Sequence, residues 1–256
     1  MSETLLPPPL TPPSALIPQL QAQGYAVLDA ASVCALAGVT LAELHALDGD
    51  WAALPPDLYL KDGGRYRRRR HACFEVQGPQ VTRMPHRAHW QPLEYNALHG
   101  GMQRWFEPMT EASTAQPAWA RLLAWLGDVT SGLKGSPSGA GSARKPWFVE
   151  AHQFRIDTTD GIGRPTPEGA HRDGVDLVAV FLVARESLKG GETRVFDADG
   201  PSGQRFTLTE PWSLLLLDDA RVIHESTPIQ PLAEGAHRDT LVVTLRAQGF
   251  QEEVPA

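Results

Sequence analysis

The sequence predicts a mainly β chain with flanking helices, in which a helical N-terminal part packs on a C-terminal β-sandwich or barrel. Three observations predict it. After position 146 the chain runs through seven short apolar segments, from "WFVEAHQFRID" to "DTLVVTLRA". Turn signals such as "LKGGE", "ADGPSG" and "LDDAR" separate them, connections of a length that suits antiparallel pairing. Before position 134, in contrast, "PAWARLLAWLGDVTSGL" (117–133) repeats its apolar residues at three- and four-residue spacing, the mark of an amphipathic helix.

The elements follow in order. Residues 1–18 are Pro-rich and form an extended lead-in, because clustered Pro blocks helix and ladder alike. A mixed α/β part at 19–133 is expected to pack on the barrel. In it, "LIPQLQAQGYAVLD" reads as a short helix stopped at Gly24 and then a strand. "TLAELHALDGDWAAL" reads as a helix capped by Thr40, with Glu43 at the capping-box position. "KDGGRYRRRRHACFEV" is a turn followed by a strand, and "NALHGGMQRWFEPM" (96–109) is expected to be helical. Trp105, Trp119, Leu122, Leu123 and Trp125 read as core. "KGSPSGAGSARK" (134–145) has the composition of a flexible linker, and 146–250 forms the β core of what is one domain overall.

Composition narrows the function. With 256 residues, 42% hydrophobic and 21% charged, the chain can bury one sizeable core. A net charge of −7 gives no global attraction to nucleic acid or to an anionic membrane, so neither is an expected partner. Cys34 and Cys73 form no CxxC pair and no four-ligand zinc pattern. The N-terminus lacks a signal peptide's basic region, and no stretch approaches the roughly 18 apolar residues that span a bilayer. A cytoplasmic location is expected.

The string "EGAHRD" occurs twice, at 168–173 and 234–239, and its surroundings do not align as a repeat. In the first copy His171 and Asp173 stand two apart at the entry to an apolar strand. Residues two apart in extended chain share a face, so an imidazole nitrogen and a carboxylate oxygen converge. A double-stranded barrel can bring His224, in "ARVIHEST", beside them. Two His and one carboxylate form the facial triad of non-haem Fe(II) oxygenases, with three positions open on the metal. In the second copy Arg238 and Thr240 share a face at the start of a strand, a guanidinium fork and a hydroxyl suited to hold a carboxylate. His237 and Asp239 point the other way, as Arg172 does in the first copy. One string thus serves two roles by strand parity.

"PEGAHRDG", "GGETRVFD", "LLLLDDARVIHES" and "HRDTLVVTL" together resemble the bacterial 2-oxoglutarate–Fe(II) oxygenase family that includes L-isoleucine 4-dioxygenase and the biofilm-stress-associated proteins. The resemblance is strongest over about 145–250 and extends more loosely to "YRRRRHACF". It implies a jelly-roll double-stranded β-helix, with Fe(II), 2-oxoglutarate and dioxygen as reactants and succinate and carbon dioxide as products. It implies hydroxylation of a free aliphatic amino acid. By motif match His171, Asp173 and His224 bind the iron, and Arg238, with Thr240, binds 2-oxoglutarate.

Four further residues are candidates for holding the substrate. Gln153 and Arg155 share one face of "HQFRI", and Arg68 and Arg70 lie on the face of "RYRRRR" that becomes apolar at Ala72. A buried Arg there needs an anionic partner, either a substrate carboxylate or an internal Asp or Glu. "HRAH" (86–89) is read as a loop, and the Gly/Pro-rich stretch 157–170 as a lid before the first ligand. Two other readings compete. A cupin-like metal enzyme that does not use 2-oxoglutarate relies on more His ligands and has no need of Arg238. A non-catalytic jelly-roll module in stress or biofilm regulation has no need of the triad.

Overall fold

The computed structural model describes residues 5–135 and 145–252; apart from Lys134, Gly135 and Lys145, the stretch expected to be a linker lies outside them. Helix α1 (Leu16–Gln23) ends at Gly24, which adopts φ 74°. Glycine is required there twice over, since a Cβ would also stand 2.8 Å from Val222 Cγ1. Strand β1 (Tyr25–Leu28) follows, then α2 (Ala30–Ala37), whose Asp29 cap accepts from Ser32 N. Helix α3 (Leu41–His45) carries the capping box expected of Thr40 and Glu43 but is only five residues long. A 3-10 turn at Asp48–Ala53 leads on to β2 (Arg67–Gln77) and β3 (Gln80–Arg83). Then come α4 (Glu111–Thr114), α5 (Pro117–Lys134) and β4 (Trp147–Asp157).

The remaining strands are β5 (Leu177–Glu186), β6 (Leu188–Gly190), β7 (Thr193–Asp197) and β8 (Gly203–Phe206). They are followed by β9 (Leu214–Leu217), β10 (Val222–Ser226), β11 (Ile229–Pro231) and β12 (His237–Arg246). A seven-stranded antiparallel sheet runs β1-β9-β5-β12-β4-β2-β3. Smaller sheets β10-β7-β8 and β11-β6 complete a jelly roll. The two layers meet where Val27, Val178 and Leu215 of the large sheet pack on Val195, Phe206 and Val222 of the small one.

The other face of the large sheet packs on the helices. Phe74, Val76, Trp147, Val149, Leu241, Val243 and Leu245 meet Trp119, Leu122 and Leu126 of α5 in the largest core. Each strand of the trio β2, β4 and β12 therefore sends alternate residues to the helices and to the jelly-roll interior.

Two expectations differ. Residues 96–109 form turns and a short bridge between His89 and Arg104, not a helix. The Gly100–Gly101 pair breaks the ladder, with Gly101 at φ 70°. Trp105, expected in the core, is 54% exposed because it lies in that irregular stretch.

Trp51 ties the 3-10 turn to the two central strands. It is 1% exposed, and its Nε1 donates to Phe154 O (3.1 Å) on β4 and to Thr240 O (3.2 Å) on β12. The second acceptor sits at the bulge where β12 changes register against β5, between Asp239 and Thr240. Trp51→Ala is expected to lower unfolding stability by about 3–5 kcal/mol in urea titrations. A loss under about 1 kcal/mol would show that the strands hold this arrangement without the indole.

Candidate metal centre and its cavity

His171 lies on the approach to β5 and pairs across an isolated antiparallel bridge with His224 of β10, each N–H donating to the other's carbonyl at 3.1 and 3.0 Å. This bridge brings two distant imidazoles side by side. His171 Nε2 stands 3.8 Å from Asp173 Oδ1, and His224 Nε2 3.9 Å from Asp173 Oδ2. These gaps are too long for hydrogen bonds. The three ligand atoms nevertheless lie within 4.8 Å of one another, the spacing of donors around one cation. His171 Nδ1 is 3.0 Å from Gly169 O, so that nitrogen carries the proton and the Nε2 lone pair faces the gap. Burial, and then His171 beside it, hold His224 well below the ordinary imidazole range and keep it neutral. Two imidazoles and a carboxylate fit a ferrous ion with open positions for other ligands.

Second contacts orient the carboxylate. Gln91 Nε2 donates to Asp173 Oδ1 at 3.1 Å, and Arg104 Nη2 donates to Gln91 Oε1 at 2.9 Å. Asp219 is 2% exposed and accepts the backbone N–H groups of Asp173, Gly174 and Val175 at 2.7–3.1 Å. One buried carboxylate thus folds the turn that aims Asp173. None of these partners was anticipated from sequence: Gln91 lies in a loop 82 positions away, with no local signal to single it out.

Arg238 lies on β12 between Ile156 of β4 and Arg185 of β5, on the strand face that also sends Thr240 and Val242 into the cavity. It is 5% exposed, and among the described residues no carboxylate comes within 4 Å of it. Burial, and then Arg185, bring its guanidinium down to about 10, which leaves it charged at neutral pH. Its neighbours in the second "EGAHRD" take the opposite face. Asp239 accepts from Arg155 through two bonds of 2.8 and 2.6 Å, and His237 lies outside the cavity. In the first copy Arg172 is likewise turned away, its closest hydrogen-bond contact being Ala220 O at 3.5 Å.

The four candidate substrate residues do not reach the cavity. Gln153 donates to Asp50 (3.3 Å), Arg155 is occupied by Asp239, Arg68 faces Asp157 (3.5 Å), and Arg70 bonds Pro108 O (3.0 Å) and pairs with Glu107 (3.3 Å). The cause is parity. Arg68 and Arg70 continue the face of Ala72, Phe74 and Val76, and Gln153 and Arg155 that of Trp147, Val149 and Ala151, all of which pack toward the helices. The cavity instead receives Arg67 and Arg69 from β2, and Phe148, Glu150, His152, Phe154 and Ile156 from β4.

A second group of metal-type donors gathers in and behind that wall: His89, Glu150 and His152, which line the cavity, and His71, all buried, with ligand atoms within 4.8 Å of one another. More His ligands is what the cupin-like reading demands, but the hydrogen bonds here favour a buried carboxylate held by imidazoles over a cation. Arg69 Nη2 lies 2.7 Å from His152 Nδ1, and a guanidinium only donates, so Nδ1 accepts and the proton sits on Nε2. That Nε2–H faces Glu150, leaving no lone pair for a metal. His71 and His89 also point N–H groups at Glu150 Oε2, at 3.1 and 2.5 Å. Burial alone would raise Glu150, but these imidazoles hold it well below the usual carboxylate range. The group is a buried anion with three neutral donors. It props Arg69, whose guanidinium is sandwiched 3.7 Å from the Phe106 ring and 4.3 Å from Phe154.

Asp219→Ala should lower Fe(II) affinity roughly tenfold to hundredfold, as loss of such outer partners does, while leaving the far-ultraviolet circular dichroism spectrum unchanged. Anaerobic metal titration measures it. Unaltered affinity would show that the turn holds Asp173 without its carboxylate clamp.

Comparison with known proteins agrees with this geometry. A family model described as 2OG-Fe dioxygenase matches residues 48–244. A crystal structure of a bsmA homologue from Methylobium petroleophilum PM1 is 50% identical, with 99% of this chain and 100% of that chain covered and a TM-score of 0.89. Two more distant structures share the fold. An IDO from Bacillus thuringiensis is 16% identical over 98% of this chain and 99% of its own, at a TM-score of 0.72. The Fe(II)/(alpha)ketoglutarate-dependent dioxygenase TqaL is 20% identical over 91% and 86%, at 0.67. A comparison with curated proteins gives no match. With most of its length under the family model and half its residues shared with the bsmA homologue, the chain belongs to the 2OG-Fe dioxygenases, jelly-roll enzymes that use Fe(II), 2-oxoglutarate and dioxygen.

Proposed function

We propose that this dioxygenase hydroxylates a free L-amino acid with an aliphatic side chain, of the isoleucine, leucine or methionine kind, and releases succinate and carbon dioxide. The observation that carries the reading is the shared cavity. It joins His171, Asp173 and His224, the proposed iron ligands, to Arg238, a buried cation with no internal counter-charge. A dicarboxylic keto acid matches both ends: its keto-acid group suits the open positions on iron and its far carboxylate suits the Arg238 fork, with Thr240 beside it. Iron with bound 2-oxoglutarate supplies the oxidising power for an unactivated C–H bond.

The chain's own residues do the rest. Gly169 and Asp219 hold His171 and Asp173 in place before any reactant arrives. Ile156, Val175, Val180 and Val242 line the cavity with aliphatic surface, which excludes water and fits an aliphatic side chain. Glu168 lines it too. Its side chain is 11% exposed, and its Oε2 is buried with no hydrogen-bond partner, so it offers an acceptor to an ammonium group.

Anaerobic addition of Fe(II) and then 2-oxoglutarate is expected to give a weak visible charge-transfer band. The band should be absent in His171→Ala, and Arg238→Ala should need roughly tenfold to hundredfold more 2-oxoglutarate to develop it. No band with iron bound would remove the cosubstrate assignment. Succinate release is then scored with a panel of free amino acids; if none raises it above background, the substrate assignment falls.

A further inference from the structure

The wall of the cavity formed by β2 and the loop before Trp105 carries more buried positive charge than it neutralises. Arg67, Arg69 and Arg104 are 5%, 3% and 2% exposed. Within 4 Å they share one carboxylate, Asp57, which stands 2.7 Å from Arg67 Nε and 3.7 Å from Arg69 Nη1. Glu150 lies nearby but is taken up by three imidazoles. Arg104 has no carboxylate within 4 Å among the described residues; its one hydrogen bond of this kind goes to the neutral Gln91. Each of the three guanidiniums also keeps one buried N–H without a partner: Arg67 Nη2, Arg69 Nε and Arg104 Nε. Orphaned charged donors at this depth are costly unless a ligand completes them. All three residues line the same cavity as the proposed iron ligands.

We propose that Arg67, Arg69 and Arg104 form a carboxylate subsite that anchors the substrate, separate from the 2-oxoglutarate clamp at Arg238. Guanidinium forks present paired N–H groups to the two oxygens of a carboxylate, whereas a neutral amide offers them only one. A divalent cation is excluded by the sign of the wall. The subsite also has a fixed place relative to the iron ligands: Arg104 bonds Gln91, and Gln91 bonds Asp173. Arg104 is therefore two hydrogen bonds from a proposed iron ligand, and a molecule whose carboxylate it holds extends into the chamber lined by Ile156, Val180 and Val242. Arg67 and Arg69 keep their contact with Asp57 whether or not the subsite is filled, so Arg104, with no carboxylate within 4 Å among the described residues, is the member to which a ligand would add a direct counter-charge.

This inference rests on the amino-acid reading for its choice of ligand, and its test separates the two. Anaerobic calorimetry on protein loaded with Fe(II) and 2-oxoglutarate compares L-isoleucine, L-leucine and L-methionine with their amides and with the corresponding deaminated acids. The acids should bind roughly tenfold to hundredfold more tightly than the amides. Arg104→Gln should bind the acid as weakly as wild type binds the amide, with 2-oxoglutarate affinity lowered by a clearly smaller factor than acid affinity. Arg104→Lys, which keeps the charge, should recover part of the preference and guards against a folding defect, as does a thermal melt of each variant. Equal binding of acid and amide by wild type, or retained discrimination in Arg104→Gln, overturns the subsite. So does a variant that weakens 2-oxoglutarate instead. If no amino acid binds, the amino-acid reading fails on its own; the deaminated acids then decide, since their binding with loss in Arg104→Gln keeps the subsite, and no binding of any carboxylate removes it.

Discussion

The alternation of side chains along β2, β4 and β12 is the constraint on which the rest of this structure depends. The sheet they form is covered by helices on one face and encloses a cavity on the other, so every residue is assigned to packing or to chemistry by whether its position is odd or even. A shift by one residue would exchange Val243 for Val242, and Val149 for Glu150, across the sheet. The bulge between Asp239 and Thr240 changes register only against β5; against β4 the pairing runs unbroken from His237 to Arg246. Arg238 and the carboxylate-bearing strand thus keep their relation to the site.

Around the cavity the structure solves a problem of buried charge by graded means. Asp239 and Arg155 neutralise each other directly, and Arg67 with Asp57 does the same. Glu150 is satisfied by neutral imidazoles, one of which in turn accepts from Arg69. Arg238 and Arg104 are left without an internal counter-ion, and these two face the cavity. At these two positions, where among the described residues no carboxylate comes within 4 Å, a ligand in the cavity can supply a direct counter-charge.

Much of this was legible in the sequence, and what was not has a physical reason. The two copies of "EGAHRD" could be told apart because each adjoins a strand whose apolar pattern fixes parity: 175–183 after the first and 240–245 after the second. The run Arg67 to Arg70 gives no such reading by itself, since both faces are cationic. Its parity follows by extending Phe74 and Val76 backward, which puts Arg68 and Arg70 on their face; whether that face meets the helices or the cavity is set by the tertiary fold, as it is for Gln153 and Arg155 on β4. Gln91, His89 and Arg104 are different. They sit in irregular chain where no periodicity exists, and only the tertiary fold brings them to Asp173 and Glu150. Residues 96–109 are expected to be helical, yet the backbone obeys Gly100–Gly101.

The division of β4 into two faces has an evolutionary consequence. Trp147, Val149 and Ala151 hold the sheet to the helices, while Phe148 and Phe154 on the same strand face the cavity. Changes at Phe148 and Phe154 resize the chamber without disturbing the first set, so affinity for one side chain over another can drift while the melting behaviour of the domain stays put. A scaffold wired in this way can diversify its chemistry by single substitutions at alternate positions, and relatives that share the packing residues can differ in what they oxidise.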